Sequence, residues 1–207
     1  MYLGVHLDFD ISFSIHVTKT AAACFSILRH LRGIRRSMPR NLFINLIVSL
    51  VFSRLDYCIS ILSGSSSALL RQLQGVLHAA ARLVFRSTRY SHISPLLLQL
   101  EWLSVVERIN LRLAVLAHSC CRGTAPSYLS CELVKTSMTQ GRHNLRSSAT
   151  NSLVLPLVRH STLGGRSFPV TAARLWNSLP RDLSRVLSPA VFKKLLKSFL
   201  MKRQRDR

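Results

Sequence analysis

The sequence predicts a mainly α fold: a helical bundle preceded by one short β-strand and followed by a loop-rich C-terminal part, which holds a short strand or hairpin and a terminal helix. Three observations carry this. Apolar residues recur at three- and four-residue spacing through long runs of the chain. Ser-Pro pairs and a Ser-x-x-Glu box stand where helices would begin. Gly and Pro are scarce until the last third, where Ser, Thr, Asn and Gly accumulate.

The elements follow in order. Tyr2 to Asp8 is a short β-prone run with a turn after it. From Ser14 the period changes, and Val17, Ala21, Cys24, Phe25, Leu28 and Leu31 fall on one helical face that Gly33 ends. Ser37 and Pro39 open a second helix, which runs through Leu42, Leu46 and Leu50 to about Leu62 and stops at Gly64. A third begins in the Ser65-Ser66-Ser67 cluster, with Leu69, Leu73, Val76, Leu77, Ala80, Leu83 and Val84 as its apolar face. Ala79, Ala80 and Ala81 allow close helix approach there. Ser94-Pro95 starts a short helix. Ser104 and Glu107 form a capping box for a helix to Cys121, with Gly123 as its C′ residue.

After Pro126 the texture changes, and Thr136 to Thr150 has loop composition. Leu153 to Val158 fits an edge strand, because Pro156 would be poorly tolerated in a central one. Gly164-Gly165 is a turn, and Val170 to Leu179 a short helix ending at Pro180. Ser188-Pro189 caps a last helix. Val191, Phe192, Leu195, Leu196, Phe199 and Leu200 lie on one side of it, and Lys193, Lys194 and Lys197 on the other.

Charge bounds the function. Twenty-nine Lys and Arg stand against eight Asp and Glu, for a net charge of +21, in a 207-residue chain that is 48% hydrophobic. A disordered basic tail is poor in apolar residues, so this chain folds. A folded body with that charge repels itself and works best against a polyanion: nucleic acid first, an anionic membrane surface second. The apolar run Leu42 to Phe52, closed by Arg54, falls short of the ~20 residues a membrane span needs. Met1 to Asp10 carries two carboxylates and no basic cluster, which is not a secretory leader. Five cysteines without regular spacing point to reduced thiols in an intracellular protein, with nucleus and cytoplasm undistinguished.

Catalytic chemistry is hard to assemble. Two-metal phosphoryl transfer needs clustered carboxylates, and of the eight acids only Asp8 and Asp10 are close in sequence. Glu107 reads as a cap and Asp56 as an arginine partner. His118, Cys120, Cys121, Cys131 and His143 lack the paired spacing of a structural zinc site. No phosphate-binding Gly-rich loop is present. The sequence therefore gives no catalytic residue, no metal set and no cofactor.

The basic residues are more informative. Arg29, Arg32, Arg35, Arg36 and Arg40 cluster at the first helix junction. Arg82, Arg86 and Arg89 follow the third helix with Tyr90 and His92 beside them, and Arg142 and Arg146 sit in the loop-rich segment. A planar guanidinium suits phosphate and stacking contacts. The bland alternative for any one arginine is a solvated helix end, where the dipole favours a cation. These ten are the candidate nucleic-acid contacts.

Seven strings occur in one order: Tyr2-Leu3-Gly4-Val5 with Leu7-Asp8; Ser53 to Cys58; Ala79 to Leu83; His92 to Leu96 with Trp102-Leu103; Ala125 to Leu129; Leu145 to Ser148; and Ala173 to Pro180. In that order the chain resembles, over essentially its whole length, the C-terminal region of reverse transcriptases from non-LTR retrotransposons of the jockey-like, LINE type. The resemblance implies a palm-edge strand and turn at 1–13, a helical thumb-like domain at 14–122, and a loop-rich extension with a terminal basic helix at 123–207. It implies that Tyr2, Leu3, Gly4 and Val5 are primer-grip-like and that the helices hold a template–primer duplex. In that family the catalytic Asp pair lies upstream of the Tyr-Leu-Gly-Val strand. Met1 stands where the family usually has a basic residue, which implies a reading frame opening inside a truncated element. The expected partner is RNA or an RNA–DNA duplex, with self-association through exposed apolar surface as the alternative and no membrane.

Overall fold

The computed structural model describes residues 2–138, 152–158 and 164–206. Its elements are mainly helical, as the periodicity predicts. The chain forms two compact units: 1–108 with 204–207, and 109–203.

The first unit is built on α1 (Ser14–Ile34) and α4 (Ser67–Phe85). α1 buries Val17, Ala21, Cys24, Leu28 and Leu31, while α4 buries Leu73, Val76, Leu77, Ala80, Ala81 and Val84. The buried alanines let the two backbones approach, as Ala79 to Ala81 predict. Phe25 lies opposite Gly75, and Arg35 opposite Leu83 and Val84. The two helices therefore run in the same direction.

Between them lie α2 (Arg40–Ile47), a π-helical turn at Val48–Phe52, and α3 (Ser53–Leu55). The continuous helix expected to Leu62 is interrupted. Cys58 takes a left-handed φ of 51°, and Ile59–Leu62 is a separate 3-10 turn. Tertiary bonds override the local period at the break: Asp56 pairs with Arg108, and the Tyr57 hydroxyl donates to the Leu3 carbonyl. In the π turn the Cys24 thiol of α1 meets the Val51 carbonyl at 3.8 Å.

The expected N-terminal strand is a tight turn. Tyr2 and Val5 exchange N–H···O bonds of 2.9 and 2.7 Å around Leu3 (φ 44°) and Gly4 (φ 79°). Positive φ at both central residues is the type I′ pattern, which Gly4 accepts readily and Leu3 at a cost. A strand needs a partner along its length, and among the described residues this run has only that one bridge. Asp8 then caps α1 from outside the helix. Its Oδ2 accepts from the Ser12 and Ser14 hydroxyls, both at 2.8 Å, and from the Ile15 N–H at 3.3 Å. Burial acts to raise the Asp8 carboxyl, but these hydrogen bonds outweigh it and hold the group below the ordinary value.

α5 (Ser94–Gln99) has Pro95 in its first turn. α6 (Val105–Cys121) opens as expected at Ser104, whose Oγ accepts from the Glu107 N–H at 3.4 Å. Two glutamines finish the cap: Gln204 Oε1 accepts from the Ser104 N–H at 2.7 Å and Gln74 Oε1 from the Val105 N–H at 2.8 Å. Gly123 follows α6 with φ 69°, as a C′ glycine should.

The second unit holds most of α6, the short α7 (Ser127–Ser130), α8 (Phe168–Asn177), α9 (Arg181–Arg185) and most of α10 (Pro189–Arg205). Its buried residues include Leu113, Ala114 and Ala117 of α6, Val170 and Trp176 of α8, and Phe192 and Leu196 of α10. His118 is buried among them, stacked on Phe192 at 4.3 Å, with Nε2 2.8 Å from the Val186 carbonyl. Arg122 Nη2 donates to the same carbonyl at 3.0 Å. The expected edge strand at 153–158 amounts to one bridge, Lys135 to Leu153. The Asn177 amide occupies the other side of Leu153, accepting from its N–H and donating to its carbonyl, each at 2.9 Å. Gly164–Arg166 is a 3-10 turn.

Candidate nucleic-acid interface

Because α1 and α4 run in the same direction, their C-terminal ends lie side by side. Each end presents carbonyl oxygens and a partial negative charge, which favours cations there. α1 carries Arg29 and Arg32 near its end, and the 3-10 turn Arg35–Ser37 adds Arg35 and Arg36. α4 carries Arg82, and its cap is Arg86 in the left-handed region (φ 55°). This αL cap turns the chain sharply, so that Arg89 returns toward α1.

The result is an open groove of about 1100 Å³ lined by Arg29, Arg32, Arg35, Arg36, Arg82, Arg86 and Arg89. Two clusters about fifty residues apart in sequence thus face one space. Phe25, Leu28, Ala79 and Leu83 supply the apolar part of its lining, together with Gly33, Ser87 and Thr88. Among the described residues no Asp or Glu lines it.

The arginines are not equivalent. Arg35 is buried, and its fork is used within the protein: Nε donates to the Leu83 carbonyl at 3.3 Å and Nη2 to that of Val84 at 2.9 Å, and its plane lies 4.8 Å from the Phe43 ring. Burial, then the neighbouring guanidinia of Arg86 and Arg40, press it below the ordinary arginine value. Arg35 is therefore a strut rather than a free phosphate ligand. Arg29, Arg32, Arg36, Arg86 and Arg89 are exposed. Arg82 is half-buried, and its Nε is shielded from solvent with no hydrogen-bond partner among the described residues. A buried donor without a partner is costly and marks a place where an anion would be favoured.

Arg40 lies outside the groove lining, 4.2 Å over the Phe85 ring. Arg142 and Arg146 fall outside the described residues. None of Tyr2, Leu3, Gly4 and Val5 lines the groove; Val5 is buried and Tyr2 and Leu3 are exposed. The sequence reading placed Phe25 on the core face of α1, whereas it is 40% exposed in the groove lining. The signal lay in the spacing: at 100° per residue Cys24 sits near the centre of the stripe, within about 20° of Val17, while Phe25 lies about 80° away from it.

Elsewhere the acids are engaged structurally. Asp8 caps α1, and Asp56 accepts a two-pronged bond from Arg108. No group of three or more His, Cys, Asp or Glu able to hold a metal lies among the described residues. No helix among them is long and apolar enough to cross a membrane. The five cysteines are free thiols. No family model, curated protein or solved structure matches the chain.

Proposed function

We propose that this chain binds the phosphate backbone of nucleic acid, without reading sequence, through the arginine groove between α1 and α4. It would do so as a thumb-like piece of a non-LTR reverse transcriptase that performs no polymerase chemistry itself. One observation carries the reading: Arg29, Arg32 and Arg36 from one segment and Arg82, Arg86 and Arg89 from another converge on a groove with no carboxylate among its described lining residues. Arginines at that density favour a polyanion, and contacts to phosphate position a strand without specifying its bases.

The test is fluorescence anisotropy with a labelled RNA–DNA duplex across a salt series. Six phosphate contacts lose affinity by about 10³-fold between 50 and 200 mM salt. Binding that stays flat over that range removes the proposal. Primer extension on an RNA template with the purified chain is expected to match a buffer control.

A second reading, an interaction module without nucleic-acid function, draws on one feature. The N-terminal segment exposes Tyr2, Leu3, Leu7 and Phe9 together. Light scattering separates the two, since a monodisperse monomer at every concentration speaks against self-association.

A further inference from the structure

We infer that the arginine groove takes unpaired nucleotides, with a base laid on Phe25 and its phosphates on the arginine rim. This rests on the nucleic-acid reading above and narrows it from backbone binding in general to a single-stranded segment.

The shape of the groove argues for it. A duplex keeps the faces of its bases stacked inside, so an exposed row of arginines meeting its phosphates would suffice to hold it. Here the arginines surround a concavity of about 1100 Å³. Pockets that enclose a small ligand run ~300–1,000 Å³, so this one has room for a nucleotide and part of a neighbour.

The lining argues the same way. Phosphate gains nothing from apolar surface, yet Phe25, Leu28, Ala79 and Leu83 line the groove. Phe25 leaves 40% of its surface open although most of its helix face is buried. The tip of the ring faces Gly75 of α4, where an added Cβ would lie in ordinary contact, 3.9 Å from Phe25 Cζ. A part-exposed aromatic ring in a basic channel can serve as a platform for stacking a base, and it tolerates any base because each has a π-face. The Arg82 Nε, buried without a partner among the described residues, supplies a donor for a phosphate that has entered rather than passed over. Just beyond Arg89, Tyr90 is exposed with that guanidinium 4.9 Å from its ring, a second surface for the next base.

The experiment compares four 12-nucleotide probes at low salt: single-stranded RNA, single-stranded DNA of the same sequence, the RNA annealed to its complementary DNA strand, and a strand with abasic sites throughout. Both intact single strands are expected to bind about tenfold tighter than the duplex, and the abasic strand to fall to the duplex level. The tighter of the RNA and DNA strands identifies the source of the segment. Phe25→Leu, at an exposed position, is expected to weaken the intact strands about tenfold and leave the duplex unchanged, with circular dichroism as the folding control. A duplex bound as tightly as a single strand, or an abasic strand bound as tightly as an intact one, overturns this inference while leaving phosphate binding in place. Equal loss on every probe for Phe25→Leu overturns it too. Failure of every probe to bind removes the parent reading with it.

Discussion

Arg35 Nη2 donates to the Val84 carbonyl at 2.9 Å, closing the end of α4 from the end of α1. Charge-assisted bonds to a buried carbonyl are worth roughly 1.5–3 kcal/mol each way they are lost. Arg35→Met is therefore expected to lower stability by about 2 kcal/mol, read from the urea midpoint. Arg36→Met, on an exposed neighbour, should stay within about 0.5 kcal/mol.

The exposed arginines should show the opposite behaviour. Arg29→Gln with Arg86→Gln removes two phosphate ligands and leaves the core intact. The slope of log affinity against log salt on a duplex should fall by about 0.9 for each, with an unchanged melting temperature.

Asp56 and Arg108 make the clearest structural ion pair. Arg108 Nη1 lies 2.9 and 2.8 Å from the two Asp56 oxygens, Nε donates to the Leu103 carbonyl at 3.0 Å, and the guanidinium plane covers Phe52 at 4.1 Å. The side chains are 13% and 24% exposed, so the pair is only partly screened. Asp56→Asn should cost about 2 kcal/mol, below the range for a fully buried pair. Arg108→Lys should cost about 1 kcal/mol, keeping charge while losing the fork and the stacked plane. Thermal melts of the three proteins provide the comparison.

Acid should loosen the first unit through two histidines. Burial, then His6, lowers the His16 pKa, with Asp8 opposing; burial, then Arg82, lowers that of His78. His78 Nε2 lies 2.9 Å from Gln74 Nε2, whose partner oxygen already accepts from Val105 N–H. Neutral His78 must therefore accept at Nε2, and protonation would face donor with donor. The unfolded chain binds these protons near the ordinary value of about 6.5, while the folded chain does so only at lower pH. Stability is accordingly full above that value and falls as pH drops through it toward the depressed folded values. His16→Leu with His78→Leu should flatten urea midpoints between about pH 7 and 5.

The thiols should react unequally. Burial pushes the Cys24 thiol up to about 11, with Arg54 opposing, and raises Cys120 and Cys121 as well. Cys131 is exposed. Mass spectrometry after brief alkylation at neutral pH should find Cys131 modified and Cys24 intact until denaturant is added.

Helix faces were legible where burial follows the 3.6-residue period: Val17, Ala21, Cys24, Leu28 and Leu31 of α1, Leu73, Val76, Leu77, Ala80 and Val84 of α4, and Phe192, Leu196 and Leu200 of α10 are buried as their spacing indicates, whereas Phe25, Val191 and Leu195, expected with them, are exposed. Asp56 was legible as an arginine partner, but not that Arg108 supplies the arginine, because fifty-two residues separate them. Arg35 and Arg36 are indistinguishable in sequence. Adjacent positions on a turn point roughly 100° apart, and only the neighbouring helix decides which one is buried. The capping box was half legible: Ser104 acts as expected, while the reciprocal acceptor comes from Gln204. The strand at Tyr2 to Val5 failed because β-propensity says nothing about whether a partner exists.

Asn177 engages both backbone groups of Leu153 with one side chain. A lone extended segment normally shows a row of bare donors and acceptors onto which a foreign strand can zip. At Leu153 that docking edge is already plugged from within. Asn177→Ala would leave the Leu153 N–H and carbonyl without that acceptor and donor, and the single bridge to Lys135 alone to hold the segment in place.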